Sequence, residues 1–182
     1  MNITDFRKTL ETRFSGASDF VHRELRCGAV ETVLYFIDGL ISGSEAAETV
    51  LRPLSLLSPE TPADLYRLAL TGGVWAASAA PCPDPRDGAD KLVNGFCLLC
   101  IPGAGAVAFE VKSGEKRGIS PPEVENTAKG PKDAFTETLR SNTALVRRHL
   151  RSPDLRLREL TVGDTQSTCL IFCLMASASS FS

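Results

Sequence analysis

One segment of this chain occurs twice, and that repeat limits the fold more than any other feature. At an offset of 135 residues, Asp19, Arg23, Glu24, Leu25 and Gly28 recur as Asp154, Arg158, Glu159, Leu160 and Gly163. One inserted residue later, Thr32, Leu34 and Phe36 recur as Thr168, Leu170 and Phe172. In each copy the first run alternates side chains in the manner of a strand, and the second is apolar and β-rich. A single pair is too few for a solenoid, so the repeat predicts a duplicated unit. The expected fold is α/β: two similar small subdomains with mixed sheets, joined by a long helix, the second subdomain left incomplete where the sequence stops at Ser182.

Periodicity supplies the rest of the outline. Ile3, Phe6, Leu10 and Phe14 recur at helical spacing up to Gly16. Strands are expected over 19–27 and 30–37, and Ser44 is placed to cap a helix that Pro53 and Pro59 stop. A short helix should start near Pro62, a strand cover 74–80, and a helical turn 89–93. The runs 96–101 and 107–111 read as a hairpin across a small-residue turn. Residues 113–130 are rich in Gly, Pro and charge, as suits a connector. The expected division is 1–112 for the first subdomain, 113–130 for the connector, 131–151 for the long helix and 152–182 for the start of the second subdomain.

On that helix Phe135, Leu139, Asn142, Leu145, Val146 and Leu150 mark the face expected to be buried, while Arg147 and Arg151 are expected to be exposed. The arginines Arg140, Arg147, Arg148, Arg151, Arg156 and Arg158 have the fork geometry to hold phosphate or an acidic surface. A solvated helix face is the plainer account of them, because Glu137 and Glu159 are near enough to neutralise part of the charge.

Motifs that would bring catalysis or a cofactor do not hold together. Cys97 and Cys100 have the spacing of a metal half-site, but a strand turns them to opposite faces and no second Cys/His pair completes the set. Gly103, Gly105 and Ala108 fit a dinucleotide fingerprint, yet a β-rich run follows where a helix is required, so a glycine hairpin turn is expected. Only His22 and His149 are available as the usual general base, and no nucleophile or metal motif accompanies them. These readings point away from an enzyme and assign no cofactor or metal. A net charge of −2 argues against a nucleic-acid partner. The six cysteines lie mostly in apolar runs with no secretory leader before them, so reduced thiols are expected. The longest apolar run, 169–176, is far short of the roughly 20 residues that cross a bilayer as a helix. Being apolar on both faces, that terminal strand is expected to self-associate unless it is covered.

Residues 130–163, GPKDAFTETLRSNTALVRRHLRSPDLRLRELTVG, resemble the A subunits of GerA-type spore germinant receptors. The likeness rests on Gly130, Pro131, Lys132, Phe135, Glu137, Leu139, Arg140, Asn142 and the pair Arg147-Arg148. Asp19-Phe20-Val21, Arg23, the run 35–40 and Gly114-Glu115-Lys116-Arg117 extend it over nearly the whole chain. The resemblance implies a cytosolic module ahead of a membrane domain that this sequence does not include. It would work in the spore inner membrane with a permease-like B subunit, a lipoprotein C subunit and other A subunits, in nutrient-triggered germination. Alone, the segment would be cytoplasmic. Candidate interface or ligand contacts are then Lys132, Glu137, Arg140, Asn142, Arg147, Arg148 and Arg151. The role expected is signalling or scaffolding; the alternative is a nutrient-binding domain with its ligand between the two subdomains.

Overall fold

A computed structural model describes residues 3–111, 135, 138–162 and 167–174. Helix α1 (Ile3–Arg13) leads into strands β1 (Phe20–Cys27) and β2 (Val30–Ile37). Helices α2 (Gly43–Ala46), α3 (Arg52–Leu56) and α4 (Pro62–Leu70) follow, then β3 (Ser78–Pro81) and α5 (Pro85–Val93). The hairpin β4 (Phe96–Ile101) and β5 (Gly105–Glu110) closes the first unit. Beyond it lie α6 (Leu139–His149), β6 (Leu155–Val162) and β7 (Ser167–Leu174).

The α/β class is as expected, although every strand pairing among the described residues is antiparallel and none of the sheets is mixed. The main sheet has the order β1-β2-β4-β5-β3. β2, β4 and β5 are its interior strands and carry nearly unbroken apolar runs, because helices cover both faces. On one face α1 and α5 bring Phe6, Leu10, Phe14 and Leu92 against Tyr35 and Leu98. On the other, the helices after β2 bring Val50, Leu54, Leu65 and Ala69 against Leu34, Phe36 and Leu99. Each fully buried leucine or phenylalanine contributes about 1.5–3 kcal/mol, so these two layers hold the unit together.

Local chemistry sets the helix ends. Ser42, two residues before the expected cap, forms a capping box with Glu45: its Oγ accepts from the Glu45 N–H at 3.1 Å, and its own N–H donates to Glu45 Oε2. The helix then widens into a π-helical segment, Ala47–Leu51, where the Arg52 N–H reaches back to the Ala47 carbonyl. Pro53 has no N–H to offer Thr49, whose carbonyl instead accepts from the Trp75 N–H at 3.1 Å. The strand expected over 74–80 is confined to Ser78–Pro81, and the turn expected at 89–93 is a full helix from Pro85, capped by Asp84.

The two repeats form matching hairpins. β1 and β2 pair over eight residues, from Phe20↔Ile37 to Cys27↔Val30, and β6 and β7 pair over eight, from Leu155↔Leu174 to Val162↔Ser167. The loop grows from two residues to four, one more than the sequence alignment allows, so Leu25 faces Thr32 while Leu160 faces Cys169. The helix expected over 131–151 occupies Leu139–His149, and Thr138 ahead of it is an extended cap residue. Residues 113–130, the expected connector, and the terminal residues 175–182 lie outside the described part.

Candidate functional site

Helix α6 and the hairpin β6–β7 meet the first unit across a polar junction. Neither of its two core clusters includes a residue of α6 or β6. Among the described residues on this side, Ala144, Pro153, Leu155 and Leu157 are apolar and buried.

The buried face of α6 is Thr143, Ala144 and Arg147, not the apolar face that periodicity indicates. Phe135 is 65% exposed and Leu150 49% exposed, with Leu139 and Val146 half-buried. Arg147, expected in solvent, is fully buried at 0%. The reason lies in what α6 packs against. Its neighbour is the turn after β2, where Gly39 has φ +94° and no side chain; a Cβ there would sit 3.2 Å from the Ala144 Cβ and 3.2 Å from the Arg140 carbonyl oxygen. That close approach brings Arg147 to Asp19, which is also 0% exposed.

The pairing is bidentate: Arg147 Nε donates to Asp19 Oδ2 at 2.7 Å and Nη2 to Oδ1 at 2.9 Å. A third donor, Nη1, reaches the Ser152 carbonyl at 3.2 Å, fixing the bend between α6 and β6. Asp19 is itself held by the sheet, since its carbonyl accepts from the Asp38 N–H at 2.8 Å. Two turns earlier on α6, Arg140 Nε lies 3.1 Å from Asp38 Oδ2. Arg140 Nη1 lies 2.7 Å from Glu159 Oε1 on β6, an ion pair without hydrogen-bond alignment. The Ser18 N–H donates to the Leu157 carbonyl at 2.7 Å, and its Oγ accepts from the Glu159 N–H at 3.0 Å. Arg13, at the end of α1, lies 3.5 Å from Asp154. The two repeat-related aspartates, Asp19 and Asp154, thus each take an arginine from elsewhere in the chain.

Of the residues singled out from sequence, Arg140 and Arg147 come together in this clasp. Arg151 is exposed, with Nη1 3.3 Å from Asn94 Oδ1. Asn142 and Arg148 are half-buried on α6. Lys132 and Glu137 lie outside the described residues. Glu159, expected from the sequence to neutralise part of the arginine charge, pairs with Arg140, whereas sequence reasoning missed Asp19 and Asp38 as partners; for Asp19 the available signal was its repeated position, charged where a strand copy is retained.

The other motifs resolve into packing. Cys97 and Cys100 are buried in opposite core layers, and burial pushes both thiols up to about 12. Gly103 and Gly105, with φ +82° and +136°, form the turn between β4 and β5. His22 and His149 are exposed. Two clefts, of about 380 and 440 Å³, are lined by residues of the first unit. No helix among the described residues is long and apolar enough to cross a membrane.

The family model of the Bacillus/Clostridium GerA spore germination protein matches residues 8–179. The uncharacterized membrane protein YfkQ of Bacillus subtilis (strain 168) is 26% identical, over 93% of this chain and 33% of that protein. Spore germination protein KA of the same organism is 26% identical, over 92% and 31%. The chain therefore spans about a third of the length of these relatives. The crystal structure of the N-terminal domain of the A subunit of the Bacillus megaterium spore germinant receptor GerK3 superposes with a TM-score of 0.67 at 18% identity, covering 92% of this chain and 62% of that one.

Proposed function

The chain belongs to the GerA family of spore germination proteins, and on that premise we propose that it is the N-terminal module of a germinant receptor A subunit whose two units are set relative to each other by the Asp19–Arg147 clasp. Nutrient-triggered germination is the process it serves, by signalling or scaffolding beside a membrane domain, with B and C subunits and other A subunits as partners. No catalytic step is assigned to it.

The observation that carries this reading is the full burial of Arg147 against Asp19, 128 residues away. Two charges are withdrawn from water where an apolar contact of the same size would hold at least as well. A buried ion pair fixes geometry more than it adds stability, and a fixed geometry between two units is what a module that passes on a conformational signal requires. Arg140, which bridges Asp38 of the first unit and Glu159 of the second, adds a second point of attachment and prevents rotation about the first.

The test is made in spores whose receptor carries this module. Asp19→Asn leaves Arg147 buried without its counter-charge, while Arg151→Ala removes an exposed arginine with two long hydrogen bonds, both at 3.3 Å. The expected result is slowed nutrient-triggered germination for Asp19→Asn at unchanged receptor abundance, and normal germination for Arg151→Ala. Normal germination of the Asp19→Asn spores would overturn the reading.

A further inference from the structure

The two edges of the main sheet are unlike. β3, on one side, is four residues long and ends in Pro81, which leaves little for another chain to pair with. β1, on the other, runs for eight residues. The Asp38 N–H donates to the Asp19 carbonyl, and the antiparallel register continues from that pair in steps of two. Val21, Arg23, Leu25 and Cys27 therefore turn their N–H and C=O groups towards β2, while His22, Glu24 and Arg26 turn theirs away from the sheet. Those outward backbone groups have no partner among the described residues. Neither α6 nor β6 covers them, because both meet the first unit at the Asp19 end of the strand. The side chains here are exposed at His22, Arg23, Glu24 and Arg26. Neither Glu24 nor Arg26 forms an ion pair within 4.0 Å among the described residues, although Arg26 stands opposite Glu31.

We propose that the β1 edge is a self-pairing surface: it lies antiparallel against β1 of a second copy of this chain, about a two-fold axis through Leu25, joining the two five-stranded sheets into one. Charge selects that register. An axis through His22, Glu24 or Arg26 sets each of these residues against its own equivalent, and an axis through Arg23 opposes two arginines. The axis through Leu25 sets Glu24 against Arg26 of the second copy, twice, and the half-buried Leu25 against its equivalent. Glu24 and Arg26 then exchange outward N–H···O=C bonds across the axis, and the same residues place carboxylate beside guanidinium. Each Arg26 lies between Glu31 of its own β2 and Glu24 of the second copy, so both neighbours attract it. This surface specifies how one A subunit would meet another and rests on the proposed function only for its place in a receptor. It occupies the Cys27 end of β1 and the clasp the Asp19 end, so either can fail without the other.

The experiment is sedimentation equilibrium of the full chain in solution over a range of concentrations. A monomer–dimer equilibrium with a Kd of about 100 μM or tighter is expected. Glu24→Arg and Arg26→Glu each oppose like charges twice across the axis, and each should weaken the dimer about tenfold or more. Mixed in equal amounts, the two variants should associate with each other, because every contact that is repulsive within one variant becomes attractive between them. Glu24→Pro removes an outward N–H that β2 does not use, so the fold, followed by circular dichroism, is kept while pairing is lost. Arg67→Gln on α4, away from β1, should leave the Kd unchanged. The proposal is overturned if the chain stays monomeric, or if the mixed variants associate no better than either alone. It is overturned equally by self-association that Glu24→Arg and Glu24→Pro leave unaltered, the result expected if the contact ran through β7.

Discussion

Replacing Asp19 with Asn should release α6 and the β6–β7 hairpin from the first unit without unfolding that unit. The substitution removes the counter-charge of a guanidinium that is 0% exposed and leaves it facing a neutral amide. Breaking one side of a buried pair costs about 3–5 kcal/mol, because the remaining charge stays desolvated. Against this stands the apolar hold of the junction, chiefly Leu155, Leu157 and Ala144, at 2%, 0% and 5% exposure. Two buried leucines and an alanine contribute about 3–6 kcal/mol at most, before the entropy of ordering the segment is set against it. The two magnitudes are comparable, so the junction opens locally while the five-stranded sheet, with its own two core layers, remains closed. Native-state hydrogen exchange followed by mass spectrometry reads the difference. In Asp19→Asn, amides of β6 and α6 should lose most of their protection while those of β2 and β4 keep theirs. The double variant Asp19→Leu with Arg147→Met, which replaces the pair by apolar groups, should regain much of the lost protection. Uniform loss of protection across the chain, or unchanged protection at β6, would refute the argument that the pair is a local clasp.

Gly39→Ala should destabilise the same junction by about 1–2 kcal/mol from the left-handed backbone alone, with more from the contact with Ala144, and chemical denaturation followed by circular dichroism checks it. Cys97 and Cys100, with thiols pushed up to about 12 by burial, should resist iodoacetamide at pH 8 in the native protein and react once urea unfolds it; rapid native alkylation would contradict their placement in the core. Burial and the hydrogen bond to Glu11 raise the Tyr35 hydroxyl above its ordinary value, so its contribution to stability is fully present below the unfolded pKa of about 10 and is lost as the pH rises through the folded value. Alkaline titration at 295 nm should show Tyr35 ionising only above the ordinary tyrosine range or together with unfolding, and ionisation near 10 in the folded chain would contradict this.

Much of the fold could be read from the sequence, for identifiable physical reasons. The apolar runs at 30–37 and 96–101 are long and β-rich because both faces of those strands are covered, and the repeat marked the second hairpin because strand alternation preserves side-chain type. What remained hidden depends on contacts far apart in sequence. Nothing local shows that β4 inserts between β2 and β5 beside the first hairpin. Helical periodicity assigns charged positions to solvent, which placed Arg147 outside; its burial is decided by Asp19, and by a glycine turn that lets a helix backbone approach. The same rule placed Phe135 and Leu150 inside, but Phe135 precedes the helix and Leu150 is its C-terminal cap, so neither belongs to the helical face that meets the turn after β2. Of the acidic partners of Arg140 and Arg147, Glu159 was near enough in sequence to be named, while Asp19 and Asp38 stood more than a hundred residues away, where spacing along α6 could not reveal them.

The most direct test of the clasp is a charge swap in receptor-bearing spores. Asp19→Arg and Arg147→Asp each place two like charges in a buried site, and each should abolish or strongly slow nutrient-triggered germination; the two together restore an opposite pair on the same elements. Recovery of germination in the double variant, well above either single variant at equal receptor abundance, is the predicted result. Single variants that germinate normally, or a double variant no better than the singles, would contradict the claim that this pair sets the working arrangement of the two units.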